Sequence, residues 1–278
     1  MNKLLSANFA RLKKSKIFWI CMVFMFGYGV LAVINQYRSA LLYDGRFDAT
    51  LDAIFFTHIP ILGLLLPAFC SLFLGTEYSD GTIRNKLIVG HLRTSIYLSN
   101  LITAVLFALA MCVAYFLPIC ILGTLLLGWL TTELLTVLTV LIGSTLAIIA
   151  ISCICTMLSM TNQNKTVTAI VSMMGMLALQ ILAVVVMAKI DAPEMIDLVT
   201  FTDSMGGMAT ESIPNPMFLT GAKRTLYEFF FDFLPTGQGL QYLEMITVRM
   251  WQKLLCSLFI ISLTTGIGLS LFQRKDIK

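Results

Sequence analysis

Between Arg93 and Lys165 the chain carries a single charged residue, Glu133. Such a stretch cannot build a water-exposed surface, whereas a helix crossing the hydrocarbon core of a bilayer needs about 20 apolar residues. The segment holds two spans joined by a tight turn and little else. The whole chain follows the same rule: of its 278 residues, 58% are hydrophobic and only 12% charged, against about 25% charged in an ordinary soluble domain. Disorder, a collagen-like fibre and a soluble enzyme are excluded. An all-α integral membrane protein is implied.

Apolar runs predict six transmembrane helices, at about 17–34, 53–74, 98–122, 134–158, 166–188 and 254–272. Pro60 and Pro67 interrupt the second, where each removes a backbone donor. Trp129, in the turn 123–133, is placed as an interfacial anchor. Residues 2–16 are basic, and Leu5, Phe9 and Leu12 recur at helical spacing, so an amphipathic interfacial helix is expected. The apolar run after it is long for a signal peptide and reads as a retained anchor. A polar loop is expected over 35–52 and another over 75–97. The longest non-spanning region, 189–252, contains TLYEFFFDFLP (225–235). Phe229, Phe230, Phe231 and Phe233 are too apolar for an ordinary soluble loop, and a helix dipping into the outer interface is expected there.

Six spans put both termini on one side. Residues 1–16, 75–97, 159–165 and 273–278 lie on that side and hold 12 of the 19 Lys and Arg but only three of the 15 acids, Glu77, Asp80 and Asp276. The Lys/Arg bias sets orientation, so the termini are expected in the cytoplasm of a cell, with a bacterial membrane suiting the short loops.

Chemistry-bearing motifs are sparse. GxxxxGK[ST], GxSxG and HExxH are absent, so no P-loop ATP site and no common peptidase signature is present. The seven cysteines all sit in apolar runs without a CxxC pair, which reads as packing rather than metal ligation. The spans carry no carboxylate at mid-depth, which disfavours an ion-coupled pump. Basic residues track the membrane edge, so no nucleic-acid partner is expected. Within the spans, His58, Gln180, Met173 and Met176 are the candidate pathway residues, methionine surfaces adapting to varied apolar partners.

The informative segment is Gly75–Tyr97, a short helix-forming stretch bracketed by glycines and bearing both signs of charge. It reads Gly75-Thr76-Glu77-Tyr78-Ser79-Asp80-Gly81-Thr82, followed by Arg84, Asn85 and Lys86. This resembles the permease subunits of ABC-2 type exporters, in which the loop after the second span reads Gly-x-Glu-x-x-x-Gly-Thr followed by basic residues. The resemblance extends to the basic amphipathic start, the six spans, the long fifth-to-sixth external region and the tail Arg274-Lys275-Asp276.

The resemblance implies a single transmembrane domain over 1–278 that pairs with a second permease, identical or similar. The pair sits on two separate P-loop ATPase subunits, which bind ATP and Mg while this chain binds no cofactor. It implies that 75–90 is a cytoplasmic coupling helix, with Glu77 orienting it and Arg84 pairing with an acidic ATPase surface. It also implies external re-entrant helices around 225–235, whose phenylalanines form a hydrophobic gate. Alternating access would then export amphipathic peptides or peptide antibiotics. Lipids or lipid-linked polymers are the alternative cargo, and a stand-alone channel or intramembrane enzyme the alternative class.

Overall fold

A computed structural model describes residues 1–42, 50–202 and 207–275. Among the described residues, six helices are long and apolar enough to cross a membrane: Lys16–Leu42, Asp52–Ser79, Arg93–Leu127, Leu134–Thr161, Lys165–Ile190 and Met250–Arg274. An apolar face of this length leaves the backbone no partner but itself in hydrocarbon, which is why helices result. The core runs along their packed faces and includes Met25, Leu62, Phe69, Phe107, Ile148 and Cys155.

The first helix, α1 (Asn2–Lys14), ends at an extended Ser15 and is followed by α2 (Lys16–Leu42). The helix of the first span continues past about Ile34 and into the expected polar loop. No glycine or proline interrupts Asn35–Leu42, and the Ser39 hydroxyl donates to the Asn35 carbonyl at 3.0 Å, so the helix runs two turns further. Asp44, Arg46 and Asp48 of the expected polar loop lie outside the described residues, as does Asp276 of the tail.

The second span has two parts, α3 (Asp52–Phe55) and α4 (His58–Ser79). The break falls at Phe56–Thr57, before Pro60, and Pro67 sits inside a continuous α4. Proline in the first turn lacks only a donor that has no helical partner, so Pro60 starts a helix rather than stopping one. Near Pro60, the Gln180 amide donates to its carbonyl at 2.6 Å. After α5 (Thr82–Ile88), the third span begins with α6 (Arg93–Pro118), five residues earlier than expected. A π-helical turn over Ile119–Gly123 and α7 (Thr124–Leu127) complete it. Both oxygens of Asp52 accept from the 131–132 segment, from Thr131 at 2.9 and 2.8 Å and from Thr132 at 2.9 Å, closing the turn before α8 (Leu134–Thr161) onto the second span.

The fifth span, α9 (Lys165–Ile190), starts at Asn164, whose side chain accepts from the backbone of Thr166 and Val167. Beyond it stand two antiparallel strands that the sequence reading missed, β1 (Met195–Thr202) and β2 (Gly207–Pro214), with Met195 opposite Pro214. Two short helices follow, α10 (Gly221–Phe233) and α11 (Pro235–Leu243), before the last span, α12 (Met250–Arg274). α11 packs on α4, α8 and α9, and α12 runs along α8.

Gly75 shows why small residues matter where spans meet. A Cβ built there would stand 2.8 Å from the Lys165 Cβ, so the end of α4 can touch the start of α9 only with glycine. Gly75→Leu is expected to cost about 2 kcal/mol by overpacking, read as a lower melting temperature in detergent. Gly175→Leu is the control: nothing lies within 4 Å of a Cβ at Gly175, so its melting temperature is expected to stay put.

Candidate functional site

Glu77 lies in the last turn of α4 with its side chain fully buried. An isolated carboxylate there would carry a desolvation cost of several kcal/mol, and the surrounding residues supply its compensation. Oε1 accepts from Arg11 at 2.5 Å and from Lys86 at 2.7 Å, and Oε2 accepts from the Asn100 amide at 2.8 Å. The Asn100 carbonyl oxygen accepts from Asn8 at 2.7 Å, and the Asn8 oxygen accepts from Lys86 at 3.3 Å. Glu77, Asn100, Asn8 and Lys86 therefore form a closed ring of hydrogen bonds. The ring joins α1, α4, α5 and α6.

Arg11 adds a second hold. Its guanidinium donates to the Phe73 carbonyl at 2.9 Å and lies 3.8 Å from the centre of the Phe73 ring. The α4–α5 corner is shaped by backbone chemistry: Gly81 has φ +66°, a left-handed conformation that disfavours side chains, and the Thr82 hydroxyl donates to the Glu77 carbonyl at 3.0 Å. Ile83 is buried beneath α5.

The expected coupling residues thus divide into two sets. Glu77, Tyr78, Thr82 and Lys86 face the protein, Tyr78 donating its hydroxyl to the Met160 carbonyl. Asp80, Arg84 and Asn85 are exposed. Beside Arg84 the segment also exposes Ile88, Val89 and Leu92, each at least 70% accessible. These three were not singled out in the sequence, because an apolar residue in a short loop between spans carries no signal of its own. Arg11, Asn8 and Asn100 were missed as a set for a different reason. The buried face of α1 is Leu4, Asn8 and Leu12, whereas the apolar stripe Leu5, Phe9 and Leu12 pointed elsewhere. Only Leu12 belongs to both.

Lys275 closes the same end of the bundle. Its ammonium donates to the Tyr78 hydroxyl at 3.2 Å and to the Met160 carbonyl at 3.3 Å, over the Tyr78 ring at 4.3 Å. Burial pushes its pKa down from the usual lysine value to about 8.

The opposite end has a second buried polar cluster. Asp232, at the end of α10, is fully buried, accepts from Gln241 at 2.9 Å and pairs with Arg249 at 3.0 Å. Arg249 also reaches Glu228 at 2.7 Å and holds a left-handed backbone, φ +53°. Gln238 donates to the carbonyls of Asp232 and Lys253 and accepts from Ser257, pinning α11 to α12. A lone acid inside the run FFFDF was the available signal for this cluster.

The expected gate residues do not share one environment. Phe231 is buried against Ala183 and Val186, Phe229 and Phe230 are about half exposed, and Phe233 lies between Phe229 and Phe259 of the last span. The pathway residues also separate. His58 is buried and stacks on Tyr115 at 4.8 Å. Gln180 lines a cavity of about 100 Å³ with Ile59, Gly63, Ile151 and Thr236. Met176 is buried, while Met173 lies on the exposed face of α9.

Two measurements follow. Glu77→Gln keeps the shape but leaves Arg11 and Lys86 facing each other without a counter-charge. It is expected to cost about 3 kcal/mol of stability, seen as a lowered melting temperature that Arg11→Met in the same chain partly restores. For Lys275, the unfolded chain holds its proton to higher pH than the folded one, so stability rises as pH increases through about 8. The melting temperature of wild type relative to Lys275→Met is expected to increase between pH 7 and pH 9.5.

A search of curated proteins finds no match to the chain. A family model described as ABC-2 family transporter protein matches residues 4–178, more than half of the sequence. That span takes in all but the start of α1, the Glu77 ring and the first four transmembrane helices, ending inside α9. The family supplies the membrane subunit of a transporter whose ATPase is a separate ABC protein. The chain belongs to the ABC-2 transporter family, as a multi-pass permease subunit.

Proposed function

We propose that this permease exports amphipathic peptides or peptide antibiotics by alternating access, driven by ATP binding and hydrolysis on two copies of a separate P-loop ATPase. The chain forms one transmembrane domain over 1–278 and pairs with a second copy or a similar permease. Its termini are cytoplasmic and the membrane is bacterial. ATP and Mg bind the ATPase, and the permease contributes no cofactor site.

The observation that carries this reading is the Glu77 ring. A buried carboxylate fastens α5 to three other helices, while the outward side of the same segment presents Arg84, Ile88, Val89 and Leu92. A rigid-body motion imposed on those exposed residues is thereby delivered to α1 and to the second and third spans together. Arg84 pairs with an acidic ATPase surface, and the apolar residues fill a groove beside it. At the other end, α10 and α11 form the external cap, with Phe229, Phe230 and Phe233 facing the exit and Phe231 anchoring α10. Export needs no covalent chemistry, only a ligand path that opens to one side at a time.

A lipid cargo is the second reading. It is favoured by a wholly apolar recess of about 310 Å³ at the outer ends of the second to fourth spans, lined by Phe55, Phe116, Trp129, Leu134 and Leu138.

Gentle detergent purification from the native host, followed by mass spectrometry, is expected to recover a stoichiometric P-loop ATPase. In that complex Arg84→Glu is expected to reduce peptide-stimulated ATP turnover at least tenfold without loss of the permease from the membrane. Undiminished turnover in a fully assembled Arg84→Glu complex would contradict the coupling role.

A further inference from the structure

The Glu77 ring leaves a charge unbalanced. One carboxylate serves two cations, Lys86 within the ring and Arg11 beside it, so the cluster carries a net positive charge. Beside it, between α1 and α5, opens a cleft of about 300 Å³. Lys3 comes from one wall, Thr82, Asn85 and Lys86 from the other, and His91 closes the end. The side chains of Lys3 and His91 have no partner among the described residues, and Lys3 is exposed. Among the described residues the cleft therefore combines two lysines, an imidazole and two neutral hydrogen-bonding groups, with no carboxylate on its walls.

The walls are not polar throughout. Leu4, Ala7 and Val89 line the same cleft. The adjacent face of α1 bears a second open recess with Leu5, Phe9 and Ala10 among its lining residues. A site for a free anion has no use for this apolar surface. A lipid does: its phosphate answers the cations while its chains lie along the apolar side of an amphipathic helix at the membrane surface.

We propose that the α1–α5 cleft binds the phosphate headgroup of an anionic phospholipid from the leaflet that faces the ATPase. Lys3 and Lys86 supply the charge, Asn85 donates to the phosphate oxygens, and His91 adds a further donor. Occupancy neutralises the surplus charge of the Glu77 ring and braces α1 against α5, so lipid composition tunes how firmly the coupling segment is held. The cleft's side of the membrane rests on the orientation proposed above. Binding itself requires neither the ATPase nor the cargo, so the two readings can fail separately.

Amine acetylation of the full chain in nanodiscs, read by mass spectrometry, tests the site. Lys3 is expected to react at least fivefold more slowly in phosphatidylglycerol than in phosphatidylcholine. Lys14, exposed at the other end of α1, is the internal control and is expected to change less than twofold. His91→Glu places a carboxylate in the cleft and is expected to abolish the protection of Lys3. Native mass spectrometry is expected to find one retained phosphatidylglycerol per chain, lost in Lys3→Gln. Equal protection of Lys3 and Lys14 would reduce the effect to diffuse surface attraction and overturn the proposal. So would equal protection by inorganic phosphate in phosphatidylcholine discs. Protection of Lys3 by the bound ATPase, with none from phosphatidylglycerol, would assign the cleft to protein docking and overturn it as well.

Discussion

The buried carboxylate of Glu77 is the constraint on which the cytoplasm-proposed end of this protein depends. Charge cannot be left unpaired in a site that excludes water, so the chain must bring cations and amides to it from wherever the fold allows. It draws them from residues 11, 86 and 100, which belong to three different helices, and Asn8 links the last two. The interaction adds little stability when desolvation is set against attraction. What it adds is register: α1, α5 and α6 are fixed to α4 at one point.

That arrangement gives a surface segment two faces with different tasks. The inner face of 77–88 is committed to the ring, while the outer face, with Arg84 and Ile88, is exposed. A second polar cluster around Asp232 does comparable work at the far end, where Gln238 and Arg249 tie α10 and α11 to the last span. Between them the spans pack through apolar contacts and close glycine approaches. Two polar ends are thus joined by an apolar middle.

The spans were legible in the sequence because twenty apolar residues have few ways to satisfy their backbone in lipid. Their ends were less so. Asn35–Ser39 continue a helix although most of them are polar, since helix termination needs a breaker rather than polarity. The paired strands 195–202 and 207–214 were hidden among prolines and charges that suggested only a loop. The Gly75–Lys86 motif was found, but its partners were not. Hydrophobic periodicity points to apolar stripes, and the face of α1 that enters the protein carries Asn8 and Arg11 instead. A polar residue buried for the sake of a distant carboxylate leaves no periodic trace. The same holds for Asp232, whose burial depends on Arg249 and Gln241.

The most direct test of the account is a photocrosslink from the coupling segment. p-Benzoylphenylalanine at Val89, in cells of the native host, is predicted to give a covalent adduct with a P-loop ATPase, whereas the same group at Trp129 gives none. Adding Glu77→Gln is predicted to reduce the adduct at least fivefold while the chain remains in the membrane. An adduct of unchanged yield in Glu77→Gln would show that the buried ring does not hold the docking face. Absence of any ATPase adduct at Val89 would contradict the assignment of this segment altogether.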